Sequence, residues 1–148
     1  MPERFDLEYI AEDGSQQRPV MVHRAMLGAI ERFLGILIEH YGGAFPTWIA
    51  PVQATVIPIA DRHLEYARLV EKRLKERGIR VEVDGRSERM NLKIRQAQLQ
   101  KVPFMLVVGD KEAASESLSI RLRSGQDLGP RPLSEALTLI QDAIDSKT

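Results

Sequence analysis

Residues 52–83, VQATVIPIADRHLEYARLVEKRLKERGIRVEV, decide the fold. Val52–Ile59 and Ile79–Val83 read as short strands, rich in apolar β-branched residues. Between them Leu64, Ala67, Val70 and Leu74 recur at intervals of three and four, with charged side chains in the positions left over. That spacing predicts a helix from Arg62 to Arg77 with a single apolar face, and Gly78 is placed to stop it. A strand, a covering helix and another strand in succession require a crossover, hence a parallel pair.

Towards the carboxy terminus the alternation continues. A helix is expected from about Glu88 to Lys101 and a strand over Phe104–Val108. Leu118, Ile120 and Leu122 alternate with Ser119, Arg121 and Arg123, which gives a strand with one wet face and points Arg121 outward. Pro132 suits the first turn of a last helix that carries Leu133, Leu137, Ile140 and Ile144 on one side. The expected class is α/β, with a mixed, mainly parallel sheet of about five strands flanked by about three helices.

Towards the amino terminus, Gly42-Gly43 and then FPTWIAP (45–51), with Pro46 and Pro51, read as a stiff connector. The expected organisation is therefore 1–45, a connector at 46–51, and a domain over 52–148. Phe5–Ile10 and Arg18–Val22 read as two strands turning at Asp13-Gly14. The helix expected next, Leu27–Tyr41, has apolar residues around more than one stripe and needs burial on several sides. Two strands cannot supply it, so residues 1–45 are expected to be the strand-strand-helix end of a larger domain.

Composition narrows the chemistry. The 148 residues hold 21 basic and 21 acidic side chains, so any attraction to nucleic acid must come from a local patch. Cysteine is absent, which excludes disulfides, thiolate catalysis and any Cys-ligated zinc supplied by this chain alone. No apolar run is long enough to span a membrane and no secretory leader is visible, so a cytoplasmic location without a membrane partner is expected. No glycine-rich phosphate loop follows a predicted strand, against a small nucleotide-binding protein.

Two stretches carry candidate chemistry. In HRAMLGAIERF (23–33), a helical reading puts Gly28, Arg32 and Gly35 on one face, so that a planar ligand could approach Arg32 closely. From spacing alone the glycines equally admit a neighbouring helix, with Arg32 paired to a carboxylate. In the second stretch, DGRSERMNLKIRQAQLQKVPFMLVVGDKE (84–112), five bases (Arg86, Arg89, Lys93, Arg95 and Lys101) meet one acid, Glu88, between positions 86 and 101. Arg86, Arg89 and Lys93 recur at three and four residues and could track a phosphate backbone, although a merely solvated helix face has the same pattern.

Taken whole, His23–Phe33 resembles motif 3 of the class II aminoacyl-tRNA synthetases. PERFDLEYIAEDG (2–14), RPVMVHRAMLGAIERF (18–33) and FPTWIAPVQ (45–53) are similar to stretches of bacterial threonyl-tRNA synthetases, and the likeness runs to the last residue. It implies the end of a catalytic domain followed by an anticodon-binding domain, in an enzyme that joins threonine to tRNA(Thr) with ATP. Arg32 would contact ATP, a role suited to a guanidinium that stacks on adenine and complements phosphate. His23 would be one of the ligands, two His and one Cys, of an active-site zinc. The other histidines here, His40 and His63, do not match that family's second His, so in this chain His23 alone reads as a satisfied polar residue. Neither ATP nor zinc is expected on these residues alone.

The resemblance also assigns Glu112 and Arg121 to the central guanine of the threonine anticodon. A carboxylate accepts from the guanine N–H donors while an arginine donates to O6 and N7, and the two are expected at one edge of the sheet. Ser87 stands where the family often has asparagine, whose amide meets the neighbouring uridine. Expected partners are tRNA(Thr), the remainder of the synthetase and, through the apolar helix near the amino terminus, a possible second copy. The alternative is a free-standing accessory module that reuses the fold to hold RNA or a protein.

Overall fold

Phe104–Val108 form a strand buried along its whole length, as a strand must be when it has neighbours on both sides and cover on both faces. In the computed structural model, which describes residues 1–148, this strand, β5, is the centre of a five-stranded sheet. Numbered along the chain, the others are β3 (Ala54–Pro58), β4 (Val81–Val83), β6 (Ser117–Leu122) and β7 (Asp127–Pro132), in the order β4-β3-β5-β6-β7. β3 pairs in parallel with β4 and β5, whereas β6 runs antiparallel to both β5 and β7. The sheet is mixed as expected, but evenly so rather than mainly parallel. After β5 the chain has only a five-residue helix, α4 (Asp110–Ala114), too little for the crossover that another parallel strand needs.

Two helices cover one face. α2 (Leu64–Glu76) follows a 3-10 turn at Asp61–His63, and α5 (Leu133–Asp145) closes the chain. Ala67, Val70 and Leu74 of α2 and Ala136, Leu137 and Ile140 of α5 pack on Val56, Leu106, Val108, Leu118 and Ile120. Each such aliphatic side chain contributes roughly 1.5–3 kcal/mol by leaving water. The opposite face is only partly covered: α3 (Met90–Leu99) sets Ile94 and Ala97 against Ile57, Met105 and Val107, all from β3 and β5. β6 and β7 lack a helix on that side.

By its contacts the chain divides into two units, 1–36 and 37–148. The connector is fastened within the second. The buried Gln53 side chain donates to Thr47 O at 2.9 Å and accepts from Arg80 N at 2.8 Å, while the Arg80 guanidinium donates to Ala50 O and Trp48 O.

In the first unit β1 (Tyr9–Ile10) and β2 (Gln16–Gln17) pair antiparallel about a turn in which Asp13 accepts from the Ser15 amide and hydroxyl. Arg18–Val22, expected as the second strand, forms none. α1 spans Ile30–Tyr41, so Gly28, with φ +63°, precedes the helix and shares no helical face with Arg32 and Gly35. No residue from 1 to 36 is buried, and neither is any residue of α1. No helix of the chain is long and apolar enough to cross a membrane.

Candidate functional site

The half-open face of the sheet is where the expected site residues gather. Across the antiparallel β5–β6 pair Val107 lies opposite Ser119 and Met105 opposite Arg121, and residues so paired project to the same side. Since Met105 and Val107 pack under α3, Ser119 and Arg121 share that face, on the part α3 leaves uncovered. Both are half-exposed. Ile59 and Gly109 continue the same alternation beyond the ends of β3 and β5.

Glu112 reaches this face from α4. Its Oε2 accepts from the Gly109 amide at 3.1 Å, a third-residue carboxylate satisfying an amide at a helix start. Oε1 stays free for a further donor. Gly109 is needed for this packing: a Cβ there would come 2.7 Å from Ile59 Cδ1 and 3.0 Å from Glu112 Oε2.

Arg121 is held differently. Between Ile120 and Arg121 the β6–β7 register shifts by one residue, so that Ile120 faces Gly129 while Arg121 faces Asp127, with Leu128 the extra residue of a bulge. Asp127 Oδ2 then receives Arg121 Nη2 at 2.9 Å, and Oδ1 accepts from Gly129 N at 2.9 Å. Glu112 and Arg121 thus share a face but not the one edge at which both were expected. β5 runs out towards Glu112 while β6 starts from that end and reaches Arg121 only at the level of Met105, roughly 13 Å back along the strand direction.

The basic stretch is dismantled by the fold. Arg86 precedes α3 and its guanidinium grips Asp84, Nε to Oδ1 at 2.8 Å and Nη2 to Oδ2 at 2.6 Å. That pairing holds the Asp84 carboxyl below the usual range, with burial opposing it. Lys93, expected to track phosphate, is instead 4% exposed. Its Nζ donates to Pro58 O and Asp84 O, both at 3.1 Å, and ties the ends of β3 and β4 together. The reason is position: Lys93 precedes Ile94 on the side of α3 that faces the sheet. Of the three backbone candidates only Arg89, exposed at the start of α3, keeps the expected freedom. Ser87 is exposed beside it, on the rim of a cleft formed with Ile59, Ala60 and Asp61 and floored by Lys93.

In the first unit Arg32 and His23 are both exposed. No three His, Asp or Glu side chains of the chain converge as a metal site, so the residues present do not by themselves fit the zinc that the resemblance implies. Sequence reasoning missed Gly109, Asp110, Arg62, Asp127 and the fastening role of His63. Only the Gly-Asp pair after an apolar strand offered a signal, that of a helix start.

Comparison with known proteins bears on the whole chain. The family model described as anticodon binding domain matches residues 53–143, and that of the tRNA synthetase class II core domain (G, H, P, S and T) matches residues 1–41. The threonine–tRNA ligase of Maridesulfovibrio salexigens is 54% identical over 98% of this chain, and that of Symbiobacterium thermophilum 56% identical over 99%. The chain spans 23% of the length of each. Among solved structures, the RNA binding domain of threonyl-tRNA synthetase from Cryptosporidium parvum superimposes with a TM-score of 0.82 at 35% identity, covering 96% of this chain and 36% of that one. A mixed five-stranded sheet with one half-open face, and a family match over most of its length, place the chain in the anticodon binding domain family of the aminoacyl-tRNA synthetases.

Proposed function

We propose that this chain is the carboxy-terminal part of a threonine–tRNA ligase and that its second unit reads the anticodon of tRNA(Thr). Residues 1–45 would then be the end of the catalytic domain, 46–51 the connector and 52–148 the anticodon-binding domain. The observation that carries the reading is the pairing of an acceptor and a donor on one open sheet face: Glu112, with Oε1 free, and Arg121, steadied by Asp127. A guanine lying between them would give its N1 and N2 hydrogens to the carboxylate and take the guanidinium at O6 and N7. Arg89 would contact phosphate and Ser87 the neighbouring base.

The test is binding of the 148-residue chain to a threonine anticodon stem-loop and to one with the central guanine replaced by adenine. Glu112→Gln and Arg121→Ala should each cost about 1–3 kcal/mol against the matched loop and little against the other. Arg89→Ala should weaken both loops alike and flatten the salt dependence. A wild-type chain that binds both loops equally would defeat the reading.

Within the first unit, Arg32 would serve ATP and His23 zinc only when the remainder of the ligase supplies the other ligands. The purified chain should therefore give no threonine-dependent ATP–pyrophosphate exchange. Measurable exchange would show that the unit holds more of an active site than Arg32 provides.

A further inference from the structure

Beside Glu112, at the start of the same short helix, lies a set of side chains that ties α4 to the turn after β3. Asp110, the first residue of α4, accepts from Arg62 twice, Nε to Oδ1 at 2.8 Å and Nη2 to Oδ2 at 2.5 Å, and from His63 Nε2 at 2.8 Å. His63 is buried and its Nδ1 accepts from the Ala60 amide at 3.2 Å. That contact puts the imidazole proton on Nε2, where it is donated to Asp110. The set joins the turn after β3 to the turn after β5. Ile59 N donates to Val108 O across the same junction, and the Ile59 side chain closes on Gly109 and the Glu112 carboxylate.

The energetics argue for a geometric role. Arg62 and Asp110 are mostly exposed, and such a pair adds little to stability. A five-residue helix, however, is too short to hold its own orientation. Asp110 and Glu112 share its first turn, so whatever anchors one sets the position of the other.

We infer that Arg62, His63 and Asp110 are positioning residues for base recognition, fixing the first turn of α4 against the β3–α2 turn and thereby aiming Glu112. The inference rests on the base-reading role proposed above for Glu112.

The experiment is a double-mutant cycle in the full 148-residue chain, read as the ratio of dissociation constants for the central-adenine and central-guanine stem-loops. Asp110→Ala should lower that ratio about tenfold, within the range of one lost base contact, and should lower it no further in a Glu112→Ala background, because coupled residues are not additive. His63→Gln, whose amide nitrogen can take the place of Nε2, should keep most of the ratio that His63→Ala loses. If Asp110→Ala does not fold, Arg62→Ala removes two of the three hydrogen bonds from an exposed position and enters the same cycle. An equal loss in both Glu112 backgrounds overturns the inference while leaving base reading intact. A wild-type ratio of one removes base reading, and the inference with it.

Discussion

At the scale of single residues, a charge is worth what its surroundings allow. Lys93 is a basic residue in a predicted basic stretch, yet its ammonium is sealed under the cleft and satisfied by two carbonyls. Lys93→Met keeps the stem but strands Pro58 O and Asp84 O, so stability should fall by about 1–3 kcal/mol in urea denaturation. The salt dependence of RNA binding should stay as it was, whereas loss of a phosphate contact would reduce its slope by about 0.7. Asp110 gives the opposite case, an exposed carboxylate held well below its usual range first by Arg62 and then by His63. A depressed carboxyl stabilises the fold at pH values above its unfolded pKa and loses that contribution only as pH falls through the folded one. Carbon-detected NMR should therefore find Asp110 still ionised below pH 4, about where a free aspartate titrates. Arg62→Ala should raise its midpoint towards the ordinary value.

At the scale of elements, β5 was legible to the residue because FMLVV is both strand-length and wholly buried, and α2 because its apolar stripe keeps helical period over about three turns. α4 and β7 were not. Five residues are too few to show a period, and DLGPRP (127–132) carries the glycine and prolines that usually announce a loop. It is a strand all the same, since an edge strand tolerates proline. Its bulge is where the candidate site escaped sequence reading: alternation gave the face of Arg121, but nothing in the sequence shows that Leu128 is skipped and Asp127 brought opposite. Gly129 holds φ +72° with open space around its Cα, so the cost of a side chain there is purely conformational. Gly129→Ala should destabilise the chain by about 1–2 kcal/mol, and Gly129→Asn by less, because asparagine tolerates the left-handed region. Thermal unfolding of the three proteins would check the order.

At the scale of the whole molecule, the two units differ in kind. The second buries two apolar clusters, one on each side of a shared sheet, which is what a cooperatively folding domain needs. The first buries nothing, and leaves Phe5, Ile10, Val20, Val22, Met26 and Ile30 exposed. An apolar surface of that extent attracts a partner. In a threonine–tRNA ligase the partner would be the rest of the catalytic domain; for the isolated chain it would be a second copy. Brief trypsin treatment should therefore cut first at Arg24 or Arg32 and leave a resistant product that retains Leu37–Thr148. That product should unfold in one transition at nearly the temperature of the intact chain, because the clusters that set it lie wholly within the second unit. Light scattering should show the intact chain larger than a monomer and the trimmed product monomeric. A monodisperse, monomeric intact chain whose first 36 residues resist the protease would mean that this surface is satisfied from within, and the proposed need for the rest of the ligase would then fall.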